Sequence, residues 1–370
     1  MTFDEIGFPR PRGRESCSNV SASLGSSHLS TPIDLQPLMA SDKIAPPTRP
    51  LGPTDIHVTP IGLGTWQFSQ NILSGAGNWG SLSPDDINAI VQAALDGGVN
   101  WFDTAEIYGF GRSERNLARA LRAAGVQPGE VVIATKWWPI LRFAGSIPRT
   151  IGKRIKNLAP YPIDLHQVHW PYALSSIESI MDRMAELVQA GKVKAVGVSN
   201  YNAEQMRRAH ACLAQHGIPL TSNQVKYNLL DRRIEANGVL ETAQELGITI
   251  IAYSPLEMGL LTGKFHQKPE LLNSRPRRRR GKLKARLEIT RPLIDRMAEL
   301  AEKYDATVTQ IGLNWLIHAY GDRVIAIPGA TKPHHAADAA RAMNFVLSLD
   351  EIEELHAIAR ALTGYKPISN

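Results

Sequence analysis

Four residues of this 370-residue chain are of types that exchange protons, and each stands at the end of an apolar run. Asp103 closes the run that begins at Val99, and Tyr108 stands five residues beyond it, just before Gly109. Lys136 follows Val131-Val132-Ile133-Ala134, and His169 lies between Gln167-Val168 and Trp170-Pro171. Taken singly, each has a plain structural role: a turn cap, a packed loop aromatic, a core histidine. Lys136 fits such a role least, because an amine at the end of a buried run is pulled inward and then needs a partner. Asp103 supplies one. Their pairing would hold Lys136 charged despite burial, and that cation would favour the phenolate of Tyr108, whose ordinary pKa is about 10. A phenol so placed can give up its proton to a developing alkoxide, with His169 hydrogen-bonding the same oxygen.

For these side chains to meet, the runs that carry them must be strands ending on one face. From residue 58 onward, short β-branched runs alternate with longer amphipathic stretches. The pattern predicts strands over 58–63, 99–102, 131–134, 163–168, 193–198, 222–225, 248–252 and 324–327. Helices are predicted over 84–95, 113–123, 147–158, 175–190, 203–215 and 238–246, then 292–304, 308–318, 333–342 and 349–361. Ser83, Pro84 and Asp86 supply the first helix with a cap, a first residue and an acidic third position. Eight strand-then-helix units over about 270 residues fit a (β/α)8 barrel better than a doubly wound sheet of eight parallel strands. The predicted fold class is α/β, a TIM barrel with a long loop after strand seven.

In that fold the chemistry gathers at the C-terminal ends of the strands, so the residues just beyond each run form one set. It holds Gly64, Thr65 and Trp66, then Asp103 with Tyr108, then Lys136 and His169. Ser199-Asn200, Gln224 and Tyr253-Ser254 follow the next three strands, and Pro328-Gly329 through Lys332 follow the last. Gly75-Ala76-Gly77-Asn78-Trp79-Gly80 also matches G-x-G-x-x-G, with Asp103 placed like a ribose-binding carboxylate. The context fails. Those glycines lie a dozen residues past the apolar run and the helix starts only after Ser83, so the stretch reads as a loop over the barrel mouth. Trp66, Trp79, Trp137 and Trp170, with Trp138, fall at predicted loop positions and describe an aromatic-walled pocket.

Composition sets bounds. Hydrophobic content of 43% and charged content of 21% are those of an ordinary soluble protein, and no run approaches the roughly 18 apolar residues of a membrane span. Cys17 and Cys212 are too few for a disulfide framework or a cysteine metal site, which fits a reducing, cytoplasmic setting and no metal. The net charge of +6 is local: eleven Lys or Arg stand against two Glu between Lys264 and Arg291, a segment of +9 that leaves −3 elsewhere. A solvated charge run explains it, and no nucleic-acid module accompanies it. The sharper reading is a basic lid over cofactor phosphates. Residues 1–50 are rich in Ser, Pro and Arg without periodicity, and read as a disordered extension before a 51–370 barrel. A start at Met39 is one alternative reading of that extension, and an organellar transit peptide within 1–38 is another.

At this point the sequence resembles the aldo-keto reductases. The carrying motifs are Gly62-Leu63-Gly64-Thr65-Trp66, Phe102-Asp103-Thr104-Ala105-Glu106-Ile107-Tyr108-Gly109, Ala134-Thr135-Lys136, Val168-His169-Trp170-Pro171 and Gly197-Val198-Ser199-Asn200-Tyr201. Asn223-Gln224-Val225-Lys226-Tyr227-Asn228, Ala252-Tyr253-Ser254-Pro255-Leu256, Gly259-Leu260-Leu261-Thr262-Gly263-Lys264 and Ile327-Pro328-Gly329-Ala330 extend them. The resemblance is to the group with a long loop after strand seven, akin to plant chloroplast and bacterial reductases and to potassium-channel β subunits. It implies an NADPH-dependent reductase of aldehydes and ketones in which Asp103, Tyr108, Lys136 and His169 are the catalytic tetrad and Tyr108 the general acid. The alternative it carries is a cofactor-binding, redox-sensing regulatory subunit.

By the same resemblance Ser199, Asn200 and Gln224 hold the nicotinamide carboxamide, Tyr253 stacks on the ring, and Gly64, Thr65, Trp66, Ser254, Leu256, Lys264, Pro328 and Gly329 line the nucleotide's path. Lys332 is the expected cation for the 2′-phosphate at the start of helix 333–342. The sequence departs from the family pattern there: His335 stands where Gln or Arg is usual, and Ala339, beside Asp338, where Asn is expected. NADPH is preferred over NADH. Substrate identity and oligomeric state are not legible.

Overall fold

Eight parallel strands hydrogen-bond in chain order, each to the next, in a computed structural model that describes residues 46–69, 81–274 and 277–363. They are β3 (Leu63–Gly64), β4 (Trp101–Asp103), β5 (Val132–Trp137), β6 (Leu165–Val168), β7 (Ala195–Ser199), β8 (Leu220–Lys226), β9 (Thr249–Tyr253) and β10 (Val324–Ala326). The sheet closes on itself. Ile61 bridges Ala326 and Gly64 bridges Gly329, both in parallel, with Gly62 N–H donating to Ala326 O at 2.8 Å. This is the (β/α)8 barrel that the eight-unit pattern implies, with no open sheet edge.

Helices α1 (Pro84–Asp96), α2 (Arg112–Ala123), α3 (Ile147–Leu158), α4 (Ile177–Gln189), α5 (Ala203–Gln215) and α6 (Val239–Glu245) return the chain between strands. After β9 come α7 (Lys264–Gln267), α8 (Arg277–Lys303) and α9 (Val308–His318), and after β10 come α10 (Pro333–Arg341) and α11 (Leu349–Thr363). Local chemistry starts several of them. Ser83 with Asp86, Asn202 with Gln205 and Thr307 with Gln310 form reciprocal capping boxes that satisfy otherwise orphaned N–H groups.

Strand alternation divides the barrel's side chains into two layers. On β5, Ala134 and Lys136 point into the barrel, whereas Ile133 and Trp137 join the large core between sheet and helices. The lower interior is apolar, built from Trp101, Ala134, Leu165, Ala195, Ile251 and Ile325. An antiparallel hairpin, β1 (Arg49–Pro50) with β2 (His57–Val58), seals it: Leu51 and Val58 are fully buried against that cluster, and Gly52 N–H donates to Thr249 Oγ1 at 2.7 Å.

The hairpin corrects two expectations. Arg49 and Pro50 form a strand and do not belong to a disordered 1–50 extension, and Val58 pairs with Arg49 while the first barrel strand begins at Leu63. Residues 1–45, and with them Met39 and a transit peptide, lie outside the described residues, as does the glycine loop 75–80 with Trp79. Arg275 and Pro276 lie outside the described residues, while from Arg277 onward the basic stretch is helical. It opens the 27-residue helix α8, in which buried Leu283, Leu287, Thr290, Ile294 and Met297 recur every three or four residues straight through Pro292. Arg and Lys are good helix formers, and the buried stripe outweighs the proline.

One glycine links the wall to the upper interior. A Cβ on Gly197 would lie 2.3 Å from Ser222 Oγ and 3.1 Å from Gln167 Cγ, so only glycine leaves room for Gln167 to reach across the barrel. Gly197→Ala should therefore lower stability by about 1–3 kcal/mol in urea unfolding. Adding Ser222→Gly should restore part of that loss, and additive effects of the two substitutions would contradict the packing argument.

Candidate active site

The upper interior is polar, and its centre is an ion pair. Lys136 is wholly buried and Asp103 almost so. Lys136 Nζ lies 2.5 Å from Asp103 Oδ1 and donates at 2.9 Å to Thr104 O. The other carboxylate oxygen, Oδ2, accepts from Gln224 Nε2 at 2.9 Å and Gln167 Nε2 at 3.2 Å. Burial pulls the lysine pKa down and the Asp103 charge pulls it back up. The pairing read from the sequence is present, with two amides not foreseen for it. Gln167 lay inside a quoted motif, and its inward parity with His169, two residues on, was the available signal.

Tyr108 hangs above the pair on the segment after β4. That segment continues along β5, Thr104 N–H to Ala134 O at 2.8 Å and Glu106 N–H to Lys136 O at 3.1 Å, before it turns. Glu106 anchors the turn from behind: its carboxylate accepts from Trp138 N–H and from Arg142, and pairs with buried Arg154 at 3.0 Å. Arg154 also donates to fully buried Glu114, which receives Thr135 Oγ1 from the outer face of β5. Glu106, like Gln167, is a positioning residue that sequence reading passed over.

His169 presents its ring edge-on to Tyr108, with centroids 5.7 Å apart at 78°, and to Trp138, and it stacks on Trp170 at 14°. Burial, then the neighbouring Lys136 cation, hold its pKa well below the usual histidine range, so the imidazole is neutral. Tyr108 requires a correction. Although its ring opens on the cleft, burial and then the Asp103 charge push the phenol's pKa up, against the expectation that Lys136 would favour phenolate. The reason is geometric: Lys136 spends its protons on Asp103 and Thr104, and its Nζ stands 5.1 Å from the phenol ring's centroid.

A cavity of about 720 Å3 runs across the mouth from this cluster. Trp66 and Trp170 wall its near end, with Gly64, Thr65, Pro328 and Gly329 along one side. Ser199, Asn200, Gln224 and Tyr253 lie midway. Asn200, held at φ 62°, donates to Ser199 Oγ at 2.9 Å and accepts the Tyr253 hydroxyl at 3.1 Å, which fixes the Tyr253 ring at the cleft wall. Ser254, Leu256 and Lys264 carry the cleft onward to His335, Asp338 and Ala339. Asp338 accepts from Thr307 Oγ1 and Gln310 Nε2, so its charge is partly spent within the wall.

Two expected residues are elsewhere. Trp137 faces away from the barrel, 1% exposed and bonded to Ser146 Oγ, because neighbours on a strand point to opposite sides and Lys136 takes the inner one. Lys332 is exposed at the cap of α10 and is not among the residues lining the cleft. Gln67 is a lining residue that the motifs did not mark. It sits against Gly329, where a Cβ would come within 2.2 Å of its amide nitrogen.

Comparison with known proteins agrees with this geometry. Residues 60–360 match the model of the aldo/keto reductase family. The chain is 31% identical over 357 residues to the chloroplastic pyridoxal reductase of Arabidopsis thaliana, covering 93% of each, and 33% identical over 318 residues to the aldo-keto reductase YhdN of Bacillus subtilis, covering 82% of this chain and 91% of that one. The crystal structure of an aldo/keto reductase from Klebsiella pneumoniae in complex with NADP and acetate superposes with a TM-score of 0.64 at 26% identity, over 85% of this chain and 94% of that one. This chain belongs to the aldo/keto reductase family of oxidoreductases.

Proposed function

We propose that the protein reduces aldehydes or ketones to alcohols with NADPH, Tyr108 being the general acid. The observation that carries this reading is a neutral phenol and a neutral imidazole standing together over a buried Lys136–Asp103 pair at the near end of a long cleft. Carbonyl reduction needs a hydride at carbon and a proton at oxygen, and the bound nicotinamide dinucleotide supplies the first.

The cleft suits such a cofactor on its own chemistry. Tyr253 offers a fixed ring for stacking, and Gly64 lines the cleft at the closing seam, where a Cβ would meet Ile327 O at 2.9 Å. At the far end Lys264 and His335 line the wall, with Lys332 close enough for its charge to be felt. Burial first, then the charges of His334, Lys264 and Lys332, push the His335 pKa down to about 4, so the imidazole is neutral with cationic side chains near it. Its Nδ1 faces Thr331 N–H at 3.4 Å, leaving the protonated Nε2 to donate. These groups suit a 2′-phosphate and motivate NADPH over NADH.

Tyr108 delivers the proton. Because burial and Asp103 keep it protonated, it meets the substrate oxygen as a loaded donor, and the phenolate formed on transfer gains the nearby Lys136 cation. His169 orients the same oxygen by hydrogen bonding. Asp103, held by two amides, keeps Lys136 in place while charge moves. Trp66 and Trp170 then flank the carbonyl's substituent, which fits a planar aldehyde of the kind named for the Arabidopsis relative.

Tyr108→Phe should cut carbonyl turnover by about 10²–10⁴-fold while NADPH affinity changes little, as read by stopped-flow turnover and fluorescence titration. Retained turnover in that variant would remove Tyr108 from the proposed role. The pH profile is a second test. With the Tyr108 pKa raised the donor stays protonated, and with the His169 pKa lowered the imidazole stays neutral, so kcat/KM for reduction should be flat from about pH 6 to 9. An inflection near the ordinary histidine value of about 6.5 that vanishes in His169→Asn would contradict this. For the cofactor, Lys264→Gln should weaken NADPH binding by about tenfold and NADH binding much less, with the difference shrinking at high salt. Equal losses for both nucleotides would move the phosphate contact away from Lys264.

A further inference from the structure

The outer helix layer holds a second cluster of reactive side chains that carbonyl reduction does not use. Cys212 is in the last turn of α5 and His216 caps it, four residues on, so both stand on one face of the helix. Asp182, midway along α4, faces them. Its Oδ1 lies 2.9 Å from His216 Nε2 and 3.4 Å from Cys212 Sγ, and the three ligand atoms all fall within 4.8 Å of one another. The thiol is buried and forms a floor, whereas Asp182 and His216 open to solvent and leave an entry path.

Those separations are close to the edges of a tetrahedral metal site. Zinc bonds of about 2.3 Å to sulfur and about 2.0–2.2 Å to nitrogen or oxygen put ligand atoms roughly 3.3–3.6 Å apart. The Asp182–Cys212 edge already has that length, and the Asp182–His216 edge needs to open by only a few tenths of an ångström. The third edge, Cys212 to His216, lies within 4.8 Å, and the rotatable bonds of the two exposed side chains, Asp182 and His216, are the freedom the site has for adjusting it. The surroundings hold the helices in register. Glu178, one turn before Asp182, takes a two-point bond from Arg208 of α5 at 2.9 and 3.1 Å, and Arg183 pairs with Glu186. The nearby charges thus face each other, and the Cys212 thiol, besides facing Asp182, donates to Glu178 O at 3.5 Å, a bond given up when the proton leaves.

We propose that Asp182, Cys212 and His216 form a surface site for a borderline-soft divalent cation of the zinc class, with water as the fourth ligand. On binding, the Cys212 thiol loses its proton to solvent. Thiolate and carboxylate then balance the ion's two charges, while neutral His216 supplies a lone pair. The ion would cross-link α4 to α5 and stabilise the folded chain by mass action. This site is independent of the cleft and of any reading of its chemistry.

Cobalt reports directly on a thiolate ligand. Chelator-stripped full-length protein titrated with Co2+ should develop a thiolate-to-cobalt charge-transfer band that saturates at a single ion per chain and is abolished by Zn2+. Cys212→Ser should remove the band and Cys17→Ser should leave it. His216→Ala, a substitution at an exposed helix end, should weaken binding by about tenfold or more and abolish the rise in Tm that Zn2+ gives the parent protein. Absence of the band in the parent, its survival in Cys212→Ser, its loss in Cys17→Ser, or unchanged affinity in His216→Ala would each overturn the assignment.

Discussion

The buried Lys136–Asp103 pair is the constraint to which the upper barrel is fitted. Two charges taken out of water cost several kcal/mol each, and their attraction offsets this only where the remaining lone pairs and protons are also satisfied. Here they are satisfied by Thr104 O, Gln167 and Gln224, contributed by β4's continuation, β6 and β8. Register supplies the rest. Asp103 lies beside Ala134 and Lys136 two residues farther along β5, beside Gln167, so the amine and the Gln167 amide both reach the same carboxylate. Gly197 beside Gln167 is the cost of that arrangement, a position where any side chain would block the amide.

A second set of charges works on the opposite face of the same strand. Thr135 points outward to Glu114, whose burial raises its pKa while Arg154 draws it back down, and Arg154 also reaches Glu106 at the base of the Tyr108 turn. One six-residue strand therefore carries the inner pair on one side and indexes the outer network on the other. The phenol's position is set from both. Its height follows from the backbone bonds of Thr104 and Glu106, and its lateral position from the Glu106 carboxylate.

What was legible in the sequence follows from what periodicity carries. Apolar runs ending in polar residues located most of the strand ends, since buried parallel strands read as largely hydrophobic stretches, although β6 carries His166 and Gln167 and β8 carries Thr221, Ser222, Asn223 and Gln224. Facing was less legible. Lys136 and Trp137 both stand at the mouth by position in the sequence, though adjacent strand residues cannot both face inward. The hairpin β1–β2 has two-residue strands, too short for any periodic signal, and α8 was masked by the arginines at its start although its apolar stripe was present from Leu283. Lys332 was chosen by proximity to a helix start, and its exposure was decided by how α10 packs, which no local pattern encodes.

On the proposed reading, the cleft separates the group that reacts from the groups that hold. At the near end a neutral phenol and imidazole surround a balanced ion pair, so the local field is small until charge develops on a substrate oxygen. At the far end Lys264 and Lys332 stand near a His335 that burial and neighbouring charge keep neutral, and Asp338 is bonded into the wall by Gln310. The two ends are built on different strands and share no side chain. His335 and Ala339 lie on α10, whereas Asp103, Lys136 and His169 stand at the ends of β4, β5 and β6, so the departures from the family's pattern fall on a different element from the buried ion pair.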